Sequence, residues 1–235
     1  MRELTELQMS IAFDNVLRSS YINGIPPFDL VYREVICQQG VADFVGLTNS
    51  NSELFNHLEE LSHLESSSQI LSLLKPIAGR TKSYLKSKTG LSDITLNRVL
   101  KDLCEKKYII KSNNVYTLSD KFNFSKINIW AFELKLSNWK RASFQALQYK
   151  AFANYTVVVF PYEKETILRE HRNSFRELNI GILLFDTATL KTKWILHPKK
   201  EQPISKWHTC FTLGKMANQF SQEQIANSNI KLKNI

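Results

Sequence analysis

Two charged side chains stand two positions apart in a stretch that otherwise reads as a buried strand, Ile127-Asn128-Ile129-Trp130-Ala131-Phe132-Glu133-Leu134-Lys135-Leu136. Side chains alternate along a strand, so Glu133 and Lys135 project from one face. A strand apolar on both faces belongs inside a sheet. Charge in that setting is costly unless it is paired, solvated in a cleft or bound to a metal. An earlier strand, Val41 to Leu47, carries Asp43 where aspartate is disfavoured. Such conflicts between local chemistry and location mark functional sites. As a purely structural ion-pair cluster, the three charges would add little net stability. A second Glu-x-Lys run, Glu105-Lys106-Lys107, ends a helix, where residues two apart do not share a face. It reads as solvated charge.

The elements that must hold these charges follow from periodicity. Residues 2–19 have helical spacing, with Leu4, Leu7, Ile11, Val16 and Leu17 on one side. Gly24-Ile25-Pro26-Pro27 breaks the helix. Val31 to Cys37 and Val41 to Leu47 form two strands about a Gln38-Gln39-Gly40 turn. After the Glu133 strand, a helix from near Asn138 places Trp139, Ala142, Ala146 and Tyr149 at helical intervals, with Lys140, Arg141, Gln145, Gln148 and Lys150 as polar positions. Tyr155 to Phe160 is a buried strand ended by Pro161. Lys164 to Leu178 reads as one helix, and Ile180–Phe185 and Lys193–Leu196 as strands. Strand–helix–strand alternation indicates an α/β sheet. The tail from Pro198 is polar and basic, with one helix over about Phe211 to Phe220.

Between the Asp43 and Glu133 strands lies a unit of different character. Residues 48–67 read as a connector with a short helix around Leu54 to Leu64, and His57 and His63 as surface residues. Gln69–Leu74 and Arg80–Lys88 are helices, the second stopped by Thr89-Gly90. Ser92 or Asp93 caps a third, running to about Lys107 with Leu96, Val99, Leu100 and Leu103 as its apolar face. Tyr108–Lys111 and Val115–Leu118 make a hairpin. Three helices followed by this hairpin resemble a winged helix-turn-helix. That resemblance implies a third helix entering a DNA major groove, with Thr95, Asn97, Arg98 and Lys101 touching DNA and Lys82, Lys86 and Lys88 near phosphates. The other reading is a winged helix that packs against its own chain or a partner protein.

Composition narrows the class. The chain of 235 residues suits one large domain or two small ones, and 43% hydrophobic residues support a core. The net charge of +9 is uneven: residues 1–65 hold 3 basic and 10 acidic side chains, residues 66–122 hold 11 and 4, and residues 123–235 hold 17 and 8. A basic surface over two thirds of the chain suits a polyanion such as nucleic acid. No apolar run approaches ~18 residues, so no membrane partner is expected. The polar N-terminus is unlike a secretory signal. Cys37, Cys104 and Cys210 stand far apart without a CxxC pair, which argues against a zinc site or disulfide framework and fits a reducing, cytoplasmic setting.

Asp43 on a strand, Glu133-Leu134-Lys135 on a later strand, and a helix bearing Gln145, Gln148 and Tyr149 together resemble the PD-(D/E)xK nuclease superfamily. Ala42 stands where the motif has proline. The resemblance implies a restriction-endonuclease-like fold: a central mixed sheet flanked by helices, α/β in class, formed by residues 1–47 and 123–200. The winged helix-turn-helix at 66–122 is then an insertion and 201–235 a basic helical tail. It implies a metal-dependent endodeoxyribonuclease that hydrolyses phosphodiester bonds with Mg²⁺ or Mn²⁺. Asp43, Glu133 and the carbonyl of Leu134 would hold the metal, and Lys135 would position or deprotonate the attacking water. Gln145 or Gln148 would orient Lys135 or touch the nucleic acid, and Lys140 and Arg141 would bind phosphate. A family acid on the first helix corresponds to Glu3 or Glu6. The partner is DNA, with a homodimer or a larger complex as the open assemblies. The alternative is a non-catalytic DNA-binding regulator or adaptor on a degenerate nuclease fold.

Overall fold

The computed structural model describes residues 4–19, 22–37, 40–50, 61, 63–120 and 127–233. In chain order the elements are α1 (Glu6–Ser19), β1 (Leu30–Cys37), β2 (Gly40–Thr48), α2 (Leu64–Leu73), β3 (Arg80–Thr81), α3 (Lys82–Thr89), α4 (Asp93–Glu105), β4 (Ile109–Ser112) and β5 (Val115–Leu118). Then come β6 (Asn128–Leu134), α5 (Trp139–Tyr149), β7 (Tyr155–Pro161), a 3-10 turn (Tyr162–Lys164), α6 (Glu165–Glu170), α7 (Arg172–Glu177), β8 (Gly181–Phe185), β9 (Thr192–Leu196) and α8 (Lys206–Lys233). The chain divides into two compact units, Met1–Ser50 with Ile127–Ser205, and Asn51–Lys126 with Lys206–Ile235.

The first unit is an α/β fold around a six-stranded mixed sheet, ordered β1-β2-β6-β7-β8-β9. The β1–β2 and β2–β6 pairs are antiparallel, β6–β7 and β7–β8 parallel, and β8–β9 antiparallel. Helices cover both faces because each central strand is apolar on both. On one face Met9, Phe13, Val16 and Leu17 of α1 pack on Phe44, Trp130, Phe132, Leu134, Val157, Val159, Leu183 and Phe185. Phe13 meets Phe44, Phe132 and Phe185 edge to face, with ring centroids 5.7, 5.7 and 5.3 Å apart. On the other face Ala142 and Ala146 of α5, Leu168 of α6 and Phe175 of α7 cover Val158, Phe160, Ile182 and Leu184. The small alanines let α5 lie close to the sheet. The single helix expected over Lys164–Leu178 is broken at His171, whose backbone leaves helical geometry (φ −93°, ψ 8°). The His171 ring stacks on Trp139, with centroids 4.0 Å apart.

The second unit begins with α2 and continues through α3 and α4 into a three-stranded sheet ordered β3-β5-β4. Its boundaries are local chemistry. Thr81 caps α3 by accepting from Tyr84 N (3.2 Å), and Ser92 caps α4 by accepting from Thr95 N (3.2 Å). Gly90 ends α3 in the left-handed conformation (φ 69°) that glycine adopts without strain. The β4–β5 turn is closed by the two residues Asn113-Asn114 between Ser112 and Val115. The C-terminal helix starts at Lys206, earlier than the expected Phe211, and belongs to this unit instead of standing as a tail. It packs on α2: Trp207 Nε1 donates to Glu65 O (3.4 Å), Asn218 Oδ1 accepts from Leu61 N (3.1 Å), and Leu61 and Leu64 leave no room for a Cβ at Gly214. No described helix is long and apolar enough to cross a membrane.

Candidate functional site

The β2–β6 register creates the site. Phe44 pairs with Phe132. One further step of the same antiparallel register sets Asp43 opposite Glu133, with both side chains on the α5 face. Like charges directly opposite across strands are unfavourable. Glu133 is buried, with 1% of its surface exposed, whereas Asp43 is half-buried. Asp43 Oδ2 accepts a 2.7 Å hydrogen bond from Leu134 N, joining residues 91 apart in sequence. Lys135 N donates to Val159 O (3.0 Å), which holds the end of the strand to β7. The side chain of Lys135 turns back over the acids, placing Nζ 2.7 Å from Glu133 Oε1. Glu133 Oε1 has this ion pair but no aligned hydrogen bond.

The electrostatics follow from burial and proximity. Burial first, and the Glu133 charge second, push the Asp43 carboxyl from 3.8 up to about 6, against the opposing pull of the Leu134 N–H and Lys135. Glu6 adds to the same rise, which puts it within electrostatic reach of Asp43. Glu3 lies outside the described residues. Tyr149, one buried residue in an alanine-lined face of α5, brings its hydroxyl to Glu133 Oε2 and to Val41 O (2.9 Å). A phenol has one proton to donate, and the charged acceptor makes the stronger bond. Burial, then Glu133, raises the Tyr149 phenol far above its usual range, so it stays protonated as a donor. Cys37 stands at the edge of this field: burial raises its thiol to about 11, and Glu133 adds to the rise.

The structure therefore brings Asp43, Glu133, Lys135 and the Leu134 main chain together. It does not join Gln145 or Gln148 to Lys135: among the described residues no hydrogen bond links them. Gln145 Oε1 is buried without a partner, and Gln148 Oε1 lies near the start of β2, 3.9 Å from where a Cβ on Gly40 would stand. Lys140 and Arg141 are exposed on the first turn of α5, which Asn138 caps by accepting from Arg141 N (3.0 Å). In the second unit Asn97, Arg98 and Lys101 are exposed on α4 at helical intervals, beside Ile94, which is 81% exposed. Thr95 is half-buried and bonded to Ser92 (3.0 Å). Lys82 and Lys86 both face Asp93, and Lys101 faces Glu105 at 3.8 Å. His57 lies outside the described residues.

Tyr149 belongs to the helix that carries the family resemblance, but its bond to Glu133 is not legible in the sequence. Its signal was a large polar-tipped residue in register with Ala142 and Ala146. No group of three or more His, Cys, Asp or Glu side chains placed to hold a metal occurs among the described residues. What the site offers is two facing carboxylates, one ammonium and a main-chain peptide. Two carboxyl groups face a single lysine, and the donors are oxygens. Such a set is suited to a hard divalent cation that retains several waters. Scans against protein-family models, curated proteins and solved structures find no match for this chain.

Proposed function

We propose that the chain is a metal-dependent nuclease of the PD-(D/E)xK type that hydrolyses phosphodiester bonds in DNA. The observation that carries this reading is the convergence of Asp43, Glu133 and Lys135 on one face of adjacent strands, with Glu133 both buried and directly opposed by a second carboxylate. A fold has no stability reason to assemble that pair. The order helix, antiparallel hairpin, Glu-x-Lys strand, helix, parallel strand (α1, β1, β2, β6, α5, β7) supports the restriction-endonuclease-like core.

Asp43 and Glu133 would hold Mg²⁺ or Mn²⁺, with the Leu134 carbonyl as a third donor. When bound, the ion neutralises charge developing on the phosphate and lowers the pKa of a coordinated water. The side chains do the remainder. Tyr149 fixes the Glu133 rotamer by donating to Oε2, leaving Oε1 facing the site. The Leu134 N–H fixes Asp43 through Oδ2. Lys135, drawn back by Glu133, holds a cation where phosphate oxygens or the attacking water would stand. The helices, hairpin and β3-β5-β4 sheet of the second unit support a winged-helix module. The exposed Asn97, Arg98 and Lys101 are its DNA-facing side chains, with Lys140 and Arg141 as phosphate contacts on the nuclease core.

A non-catalytic DNA-binding regulator is the second reading, favoured by the short ligand set. A gel shift with and without Mg²⁺, read for both retardation and cleavage, separates the two. The nuclease reading expects Mg²⁺-dependent cleavage that is lost in Asp43→Ala, Glu133→Ala and Lys135→Ala while retardation persists. Cleavage that survives all three substitutions removes the site assignment. Metal-indifferent retardation without cleavage supports the regulator.

A further inference from the structure

A cleft of about 390 Å³ opens in the first unit, lined by Thr48, Asn128, Trp130, Tyr155, His197 and Lys200 among others. It is separate from the carboxylate pair. Thr48 and Asn128 pair with each other at the far ends of β2 and β6. They lie five positions along the strands from Asp43 and Glu133, about 16 Å at ordinary strand rise, and the odd offset puts them on the opposite face.

The cleft holds a concentration of unmet polar chemistry. Thr48 Oγ1, Asn128 Oδ1 and Trp130 Nε1 are all buried without a hydrogen-bond partner. Thr48 is 1% exposed and Trp130 4%. Leaving a buried donor or acceptor unmet is costly, so three around one cleft call for a ligand or ordered water to meet them. Thr48, Asn128 and Trp130 are all lining residues of the cleft. Together they offer an indole donor, an amide and a hydroxyl. The wall is aromatic: Tyr155 stacks on Trp130 with ring centroids 3.9 Å apart and planes within 10°. At the rim stand the exposed Lys200 and His197, and no acidic side chain is among the described lining residues. A volume of this size takes a small molecule rather than a polymer segment.

We propose that this cleft binds a nucleotide, with a planar, amide-edged base against Thr48, Asn128 and Trp130 and its phosphate at Lys200. The matching features are the flat aromatic wall, donors and acceptors suited to a heterocycle edge, and a cationic rim without acids. The same chemistry could come from a free nucleoside monophosphate or from the terminal nucleotide of a strand.

Calorimetric titration of the full chain with the nucleoside monophosphates, the corresponding nucleosides and short single-stranded oligonucleotides tests this. The expected result is binding of at least one monophosphate, weakened about 10-fold by Thr48→Val, a same-shape change that removes one hydrogen-bonding group. Lys200→Ala, a surface change that leaves the fold alone, should weaken the monophosphate several-fold and leave its nucleoside unchanged. If only oligonucleotides bind, and both substitutions weaken them, the source is a strand end and the site stands. No monophosphate or oligonucleotide binding at millimolar concentration overturns the proposal. So does binding to which Thr48→Val and Lys200→Ala are both indifferent.

Discussion

Glu133-Leu134-Lys135 and Glu105-Lys106-Lys107 present the same residue pattern in two regions of the molecule, with opposite physical consequences. Glu105 ends α4 in solvent, faces Lys101 at 3.8 Å with both side chains mostly exposed, and leaves Lys106 to pair with Asp102 at 3.0 Å. The Lys101–Glu105 contact is an exposed helical pair of the kind that contributes about 0.3–0.5 kcal/mol. Glu133 is sealed on a central strand, with its lysine at 2.7 Å, a tyrosine hydroxyl on its second oxygen and an aspartate across the register. The motif carries no information by itself. The element beneath it decides whether the two charges are independent and screened or coupled and buried.

The largest effect that would sharpen this contrast is on cleavage. Glu133→Gln should lower Mg²⁺-dependent cleavage by about 10²-fold or more, the scale of losing a group that acts on transition-state charge. Glu105→Gln, at the solvated copy, should leave the rate unchanged. Matching losses at the two sites would break the comparison.

Next in size is a stability effect. Asp43 holds its proton more tightly in the fold than in the unfolded chain, so its contribution favours the metal-free fold below pH 3.8 and is lost as pH rises to about 6. The rise from 3.8 to about 6 corresponds to at most about 3 kcal/mol. Asp43→Asn should flatten the pH dependence of urea unfolding across that window and raise metal-free stability at neutral pH. A variant that keeps the wild-type slope would place the strain elsewhere.

Tyr149→Phe should follow, destabilising by about 2 kcal/mol through loss of a donor to a buried carboxylate. Thermal unfolding checks it, and an unchanged midpoint would mean that Glu133 does not depend on the phenol. The smallest effects belong to α4. Arg98→Ala and Lys101→Ala should each weaken DNA binding and reduce the slope of log K against log salt by about 1. The catalytic step measured on bound DNA should be untouched. Salt slopes identical to wild type would take α4 off the DNA.

Strand alternation was enough to set Glu133 and Lys135 on one face, because a period of two survives whatever the tertiary context. Asp43 stood out because aspartate fits poorly mid-strand. Their pairing could not be read from local pattern: it depends on a register between strands separated by the whole second unit. The Tyr149 contact was hidden for the same reason, since helix spacing gives a face but not the atom that face meets. Thr48, Asn128 and Trp130 carry no motif: the β2–β6 pairing gathers them, and the β6–β7 pairing sets Tyr155 beside Trp130. Periodicity does not show the break at His171, because Leu168 and Phe175, seven apart, fit one continuous helix as well as two short ones. The C-terminal helix starts earlier than its own periodicity indicates, because its packing partner, α2, lies far away in sequence.

Diffraction from crystals soaked in Mn²⁺, collected where manganese scatters anomalously, tests the central claim most directly. The account predicts one anomalous peak within ligand distance of carboxylate oxygens from both Asp43 and Glu133. A Lys135 ammonium still paired to Glu133, with no peak between the two acids, would contradict it.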